Sequence, residues 1–488
     1  MTHGHARSGP GQPGPSRTAR RWWILAGSSI GLFMLMLDST AIALALPTIR
    51  LDLGASSSGI QWAQNIYLLA LAALVTTLGR IGDLVGRRLI FCAGLIVFSL
   101  GSVLSALAGS IAVLVAGRAI QGVGAAAMLA LSLAIATLAF PPEGRGRAIG
   151  IWAAVSSIAL AIGPLVGGVV VEFASWRWLF LLNLPLAALC LTVLLAAMPE
   201  SRDESAGRRI DVAGLVVLSA GLTLLVLALV QGKSWGWTSL GTLGGLVIGV
   251  ALLALFAIVE KRESEPIIDL SLFRSGPYLG ASAAAFALVG SYWTVMFLLP
   301  QYLDLALRFS TARAGVLMLP VTVPMAFMSP VVARLVARVS ARLVMTVGMA
   351  CATAGMLVLT RLDGSSDYYD VAPGLLLFGL ALGLVYAPMS AAAMAALPAE
   401  KAGVASGALA MVRCLAGAML LAGAGAVFQH VQVEERRAGE SFEGAFAAGI
   451  ADTAWLLSAV LLAGTVLTWM LVRSATGARH AHHRRFHF

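Results

Sequence analysis

The chain has 488 residues, of which 59% are hydrophobic and only 11% are charged, and its formal net charge is +10. A soluble globular domain carries roughly 25% charged residues, so this composition excludes an ordinary soluble protein. Apolar runs of about 18 or more residues recur along the chain, which is the length that a membrane-spanning helix needs. Since lipid tolerates only helices or closed barrels, the sequence predicts an all-α polytopic membrane protein.

Fourteen apolar runs are predicted to span the membrane, after a segment at residues 1–21 that we expect to be disordered and cytoplasmic. The runs cover residues 23–46, 60–78, 89–107, 111–139, 148–171, 179–198, 212–230, 240–259, 278–303, 312–332, 343–360, 371–397, 403–428 and 446–472. They group into a six-helix half at 22–198, a linker with two extra spans at 199–276, a second six-helix half at 277–473 and a basic, His-rich cytoplasmic tail at 474–488.

Basic residues set the predicted orientation. Most of the 33 lysines and arginines fall in segments that share one side of the membrane with the two termini, while Arg118 and Arg413 lie within spans. Cytoplasmic loops carry such an excess, so both termini are predicted to be cytoplasmic, in the plasma (inner) membrane. Membrane topology accounts for the net positive charge, and no nucleic-acid partner is expected.

A short charged loop separates the second and third spans. It reads GRIGDLVGRR at residues 79–88, and the residues interpreted as a cytoplasmic latch are Gly79, Asp83, Gly86, Arg87 and Arg88. Asp83 is expected either to cap a helix that starts at Leu84 or Val85 or to pair with a cytoplasmic arginine. A weaker copy, ARLVARVSAR at residues 333–342, follows the tenth span and indicates repeated halves with substrate held between them.

Asp38 in the first span is the clearest acid inside any span. A carboxylate in the membrane interior is costly, and by default it indicates function. Arg118 in the fourth span is the natural cation beside it, and Gln121 shares the face of Arg118. An acid that alternates between wet and dry settings can carry one proton per cycle, so Asp38 and Arg118 are predicted to couple transport to protons. The alternative is a static pair that holds spans one and four together.

The fifth span contains Gly163, Pro164, Gly167 and Gly168. Proline removes a backbone hydrogen bond, and glycines allow helices to approach closely. The pattern predicts a kink and a smooth groove that can seal and reopen as a gate. An ordinary packing seam of small residues is the alternative.

Substrate contacts are less defined by the sequence. The residues considered for substrate binding or coupling are Gln121, Tyr292, Trp293 and Arg413, and packing or snorkelling is the alternative role of Arg413. The second half lacks a deep acid, which argues against dicationic drugs and leaves monocations, neutral compounds and zwitterions open.

Nothing in the sequence indicates catalysis. The four cysteines, Cys92, Cys190, Cys351 and Cys414, have no metal or disulfide spacing, and no G-x-x-x-x-G-K-[ST] phosphate loop is present. We therefore expect no enzyme, no metal site and no cofactor, with a proton gradient as the energy source. The expected partners are a small-molecule substrate, protons and membrane lipids, and the protein is expected to act as a monomer.

Four motifs resemble the major facilitator superfamily, and specifically its fourteen-spanner drug:proton antiporters. Besides the loop 79–88, they are LDSTAIALALP at 37–47, GRAIQGVG at 117–124 and GPLVGG at 163–168. The chain departs from the family pattern at Leu84, Ala43 and Ala159, which stand where an arginine, an asparagine and a glycine are usual.

The resemblance implies a major facilitator fold, two six-helix halves plus two inserted helices, and a latch that favours the outward-facing conformation. It implies export of drugs or small hydrophobic or amphipathic compounds in exchange for protons by alternating access. The alternatives are a proton-coupled symporter that imports a specific solute and a non-transporting membrane sensor. The fifth-span motif argues against the importer, and the intact Asp38 and Arg118 argue against the sensor.

Overall fold

The computed structural model describes residues 17–202, 211–263, 268–396 and 402–472. The predicted His-rich tail lies outside the described residues, as do most of the predicted N-terminal segment and parts of the charged linkers.

The described part of the chain is helical throughout. Its helices are α1 (Arg17–Asp52), α2 (Ser57–Val85), α3 (Arg87–Ala106), α4 (Ile111–Leu138), α5 (Pro142–Phe173), α6 (Arg177–Leu181), α7 (Asn183–Ala197), α8 (Val212–Trp235), α9 (Leu240–Glu260), α10 (Gly276–Gln301), α11 (Thr311–Leu317), α12 (Leu319–Phe327), α13 (Ser329–Arg338), α14 (Ala341–Leu359), α15 (Tyr368–Ala395), α16 (Ala402–Arg437) and α17 (Phe442–Leu471). A 3₁₀ turn, Leu270–Arg274, precedes α10, and a π turn, Tyr302–Ala306, follows it. The prediction of an all-α membrane protein is therefore confirmed.

Among the described residues, thirteen helices are long and apolar enough to cross a membrane, so the predicted count of fourteen is not confirmed. The missing one is the tenth predicted span, where the chain forms α11, α12 and α13 instead of one long helix. Pro320 and Pro330 stand in the first turns of α12 and α13, and Pro324 lies inside α12. Each proline removes an amide donor and clashes with the preceding turn, which breaks the run into short pieces.

The long helices form two groups. In the first group, α1 packs on α4, α5 and α7, and α2 and α3 pack on α4. In the second, α10 packs on α15, α16 and α17, and α14 packs on α15 and α17. Helix α8 contacts α9 as well as α2 and α16, so it touches both groups. Helices α1 and α10 are the most enclosed of the long helices, with 83% of an apolar 18-residue stretch buried in each, against 17% for α9.

The two groups are joined at one end of the bundle and near its middle. We call the end that carries residues 79–88 the loop end, and the opposite end the far end. The described hydrogen bonds between the groups join Gln61 to α16, α5 to α12, and Glu172 to the start of α11. Gln61 lies near the start of α2, whereas the loop follows the end of α2. The far end is therefore closed by contacts between the groups.

Candidate functional site

Asp38 and Arg118 form a buried ion pair inside the first group. Arg118 Nη1 on α4 donates to Asp38 Oδ2 on α1 at 2.6 Å, and the two side chains are 0% and 2% exposed. Desolvating two charges is expensive, and the cost is recovered only when further hydrogen bonds satisfy the remaining atoms. The surroundings of the pair supply such bonds.

Amide side chains complete the hydrogen bonding of the carboxylate. Asn183 Nδ2 at the start of α7 donates to Asp38 Oδ1 at 2.8 Å, and Gln121 Nε2 donates to the same oxygen at 3.3 Å. Both amides also donate to Ser102 Oγ, at 3.2 and 2.8 Å. Asp38 thus accepts three N–H groups, an arrangement that matches the acceptor-only, ionised form of the acid.

Arg118 is held from the other side by α2. Its guanidinium lies 4.1 Å from the centre of the Tyr67 ring, and its Nε donates to the carbonyl of Ala63 at 3.3 Å. Its Nη2 is buried and has no hydrogen-bond partner in the structure. The cation–π contact and the hydrogen bond to the carbonyl fix the guanidinium in place beside the carboxylate.

Asp38, Arg118 and Gln121 were predicted from the sequence, whereas their partners Asn183, Ser102 and Tyr67 were not. The sequence did contain a signal for Asn183, because an amide side chain within a long apolar run needs a hydrogen-bond partner.

The loop 79–88 differs in detail from its prediction. Helix α2 continues to Val85, so Asp83 lies inside it and does not cap a helix that starts at Leu84 or Val85. Arg87 Nε, at the start of α3, instead donates to Asp83 Oδ1 at 2.8 Å across the break between the two helices, which is the second role considered for this acid. Gly86 joins the two helices with φ +145°, a backbone conformation that strongly favours glycine.

Glu200, which the sequence analysis did not single out, caps α3. Its carboxylate accepts the backbone amides of Arg88 and Leu89 at 3.0 and 3.1 Å. Arg88 Nη1 donates in return to the carbonyl of Met198 at 2.8 Å. An acid at a helix N-terminus satisfies amides that the helix leaves unpaired and interacts favourably with the helix dipole. The loop is therefore fastened to the segment after α7, within its own group of helices.

Replacing Glu200 with alanine is expected to destabilise this fastening. Loss of the acid from the first turn of α3 should reduce the free energy of unfolding by about 1 kcal/mol, in the range of a lost helix cap. The measurement is the midpoint of thermal unfolding of the purified protein in detergent. Glu434→Ala is the matched control, because Glu434 makes only an exposed ion pair with Arg437. Equal midpoints for the two variants would contradict the capping role.

The glycines of the fifth span lie where three helices cross. A side chain at Gly163 or Gly167 would overlap Thr40 or Ala41 on α1, and one at Gly168 would overlap the carbonyl of Thr311 on α11. Helix α5 continues as one helix through Pro164. The motif therefore supplies close contact both within the first group and between the two groups.

A glutamine clasp, which the sequence analysis missed, joins the groups at the far end. Gln61 Nε2 donates to the carbonyl of Leu421 on α16 at 2.9 Å, and Gln429 Nε2 donates to Gln61 Oε1 at 3.2 Å. Gly425 lies against the Gln61 amide, where a side chain would collide with it. Glu172 at the end of α5 accepts the amide of Ala312 at 2.7 Å.

The remaining predicted residues lie apart from the ion pair, in the second group of helices. Tyr292 and Trp293 are on α10 and Arg413 is on α16, where it donates to Ser390 and Tyr386 of α15.

A separate, largely apolar cavity of about 420 Å³ lies between α1 and α5, with Trp22, Phe33, Ile151 and Val155 in its wall. Within the described ranges, no group of three or more His, Cys, Asp or Glu side chains could hold a metal ion.

The family follows from comparison with known proteins. The sequence model of the Major Facilitator Superfamily matches residues 28–421. The chain belongs to the major facilitator superfamily. The match runs from α1 into α16 and so includes Asp38, Arg118, the loop 79–88 and the fifth-span glycines.

Individual superfamily members narrow the relationship to drug efflux. "Multidrug resistance protein Stp" of Mycobacterium tuberculosis is 36% identical over 404 residues, which cover 83% of this chain and 75% of that protein. The "Tetracenomycin C resistance and export protein" of Streptomyces glaucescens is 34% identical, over 81% of this chain and 73% of its own length. The resemblance to the drug-efflux family inferred from the motifs is confirmed.

Solved structures support the fold. A D-xylose–proton symporter superposes with a TM-score of 0.66 at 16% identity, over 93% of this chain and 98% of that one. The family and its structural neighbours are transporters, and this chain has the multi-pass membrane fold that they share.

Proposed function

We propose that the protein is a secondary active transporter that exports drugs or small hydrophobic or amphipathic compounds in exchange for protons, by alternating access. The relatives named for multidrug resistance and tetracenomycin C export support the export of drug-like compounds. The observation that carries the proton coupling is the buried Asp38–Arg118 pair, since a carboxylate in this setting is a titratable group placed where a carrier needs one.

The hydrogen bonds around Asp38 suggest how a proton acts. The ionised carboxylate ties α1 to α4 through Arg118 and Gln121, and to α7 through Asn183. A proton on Asp38 would turn one acceptor oxygen into a donor and cancel the charge that attracts Arg118. Protonation would thus loosen α1 from its neighbours, which provides a physical link between proton binding and helix movement.

The helix packing supports a change of access between two sides. The groups touch at the far end through the Gln61 clasp and the α5–α11 crossing. With the loop end cytoplasmic and both termini on that side of the plasma membrane, as the basic residues favour, this arrangement is inward-facing.

The architecture proposed with this function has fourteen spans, in two six-helix halves with α8 and α9 inserted between them. The segment α11–α13 then counts as one span broken by proline, and such discontinuous helices are common where carriers gate their substrate path. The loop 79–88 makes its hydrogen bonds to Asp83 and Glu200 within its own group of helices. This agrees with a latch that does not hold the two groups together when the protein faces inward.

Everted membrane vesicles test this proposal. Vesicles that hold the protein, with an acidic lumen imposed by a pH jump, should accumulate a fluorescent hydrophobic dye and release protons from the lumen as they do so. Vesicles without the protein are the control. Dye exit driven by the same gradient would indicate an importing symporter, and a gradient with no effect on any dye of a panel would indicate a sensor. Either result would overturn the proposal.

A further inference from the structure

Arg413 is a second arginine in the helical bundle, and its environment differs from that of Arg118. It lies on α16 and is partly exposed, whereas Arg118 is fully buried. Arg413 Nη2 donates to Ser390 Oγ at 2.7 Å, and Nη1 donates to Tyr386 Oη at 3.4 Å. Its guanidinium lies 4.8 Å from the centre of the Tyr386 ring. These contacts orient the cation without neutralising it.

No carboxylate among the described residues forms an ion pair with Arg413. From Gly276 onwards, the described acids lie near the far end, as do Asp304, Glu434 and Glu443, or on the exposed side of α17, as does Asp452. Arg413 instead lies about a third of the way along α16, on the side of its middle that faces the loop end. A charge in the membrane interior is expensive when it is unpaired, so this arginine is matched to an anion that the described chain does not supply.

Aromatic side chains lie near this cation, on α10 and α15. Trp293 packs against Gly417, which follows Arg413 by one helical turn on α16. Tyr292 contacts Trp293 edge to face, with ring centres 5.6 Å apart. Flat rings next to a guanidinium are suited to an aromatic ligand that carries negative charge.

Two polar atoms in this cluster have no hydrogen-bond partner. Arg413 Nε and Tyr292 Oη are both buried and unpaired in the structure. Buried donors are rarely left unsatisfied, and such groups call for a ligand or water that completes them. The cluster thus offers a charged donor, a neutral donor and ring surfaces, without an acid of its own.

We propose that Arg413, with Tyr292, Trp293, Tyr386 and Ser390, recognises the anionic group of an amphipathic aromatic substrate. The guanidinium pairs with a carboxylate, sulfonate or phenolate of the substrate, and the rings hold the aromatic body. This assignment rests on the proposed transport function and specifies its substrate class. It changes the sequence-based expectation, in which only monocations, neutral compounds and zwitterions were left open.

A structural brace is the competing explanation, because Arg413 ties α15 to α16 through Tyr386 and Ser390. A brace would matter equally for charged and neutral ligands, whereas an anion site distinguishes them. Two dyes provide this comparison. Anilinonaphthalene sulfonate and N-phenylnaphthylamine share the same aromatic body, and only the first carries a sulfonate.

The experiment measures the equilibrium dissociation constants of both dyes by fluorescence, with the protein in lipid nanodiscs and empty nanodiscs subtracted. Arg413→Gln should weaken binding of the sulfonate dye about tenfold or more, which corresponds to about 1.4 kcal/mol. It should change binding of the neutral dye by less than about twofold. Arg413→Lys keeps the charge and should retain more sulfonate affinity than Arg413→Gln does.

Other outcomes overturn the assignment. Equal weakening of both dyes by Arg413→Gln would indicate a brace, and unchanged binding of the sulfonate dye would exclude a direct contact. Failure of the wild-type protein to bind the sulfonate dye would also reject the site. Because the measurement uses no gradient, it is independent of proton coupling. Selective binding without proton-driven transport would leave the site intact while contradicting the proposed export.

Discussion

Asp38→Asn is expected to abolish proton-driven export, reducing dye accumulation in everted vesicles to the level of vesicles without the protein. Asparagine has nearly the same shape but cannot take up and release a proton, so the coupling step is lost. It also leaves Arg118 without its counter-charge, and we expect a lower unfolding temperature but a monodisperse protein. The retained side-chain oxygen still accepts a hydrogen bond from Arg118, which limits the damage.

The matched control is Asp452→Asn, which removes an acid from the exposed side of a span in the second group. This variant should transport at the wild-type rate. Binding of the neutral dye without a gradient separates loss of coupling from loss of fold, because Asp38→Asn should still bind it. Full gradient-driven transport by Asp38→Asn would remove this acid from the mechanism.

Gly167→Val is expected to reduce transport at least about tenfold by preventing the far end from closing. The added side chain would overlap the backbone of Ala41, which cannot move aside as a flexible side chain could. Helix α5 would then be pushed from α1, and the neighbouring contact between Gly168 and Thr311 would open as well. The population should shift away from the proposed inward-facing arrangement.

Gly150→Val provides the control on the same helix, since a side chain there meets nothing within 4 Å. Its effect on transport should be small. The conformational shift can be followed with Gln429→Cys, whose thiol should react faster with a membrane-impermeant reagent from the far side when Gly167 is also changed. Wild-type transport and unchanged labelling in the Gly167→Val background would show that this close contact does not govern the gate.

The sequence predicted well wherever lipid imposes a strong constraint. Apolar length identified the spans, and the cost of an isolated charge made Arg118 the expected partner of Asp38. Both inferences need only the local sequence and the solvent. The broken tenth span was also visible in principle, because Pro320, Pro324 and Pro330 are too closely spaced for one regular helix.

Partners that come from distant parts of the chain could not be predicted in this way. Glu200 reaches the start of α3 from more than a hundred residues along the chain, and Asn183 reaches Asp38 from the start of α7. These contacts depend on how helices pack, which hydrophobic length does not specify. Of the two roles considered for Asp83, the structure shows the pairing with an arginine and not the helix cap, because α2 ends at Gly86 and Asp83 lies inside the helix.

The position of α8 makes the two seams between the groups differ in how much of them faces lipid. By touching both α2 and α16, α8 covers the seam where these helices meet, and α9 lies outside it. The opposite seam, where α5 meets α11 and α12, has no such cover among the described helices. Under the proposed export function, we therefore expect a hydrophobic compound that comes from the membrane to reach the bundle on the side of α5. The cavity between α1 and α5 borders this route, so we expect bulky aromatic substitutions at Val155 to slow lipid-borne substrates more than water-borne ones.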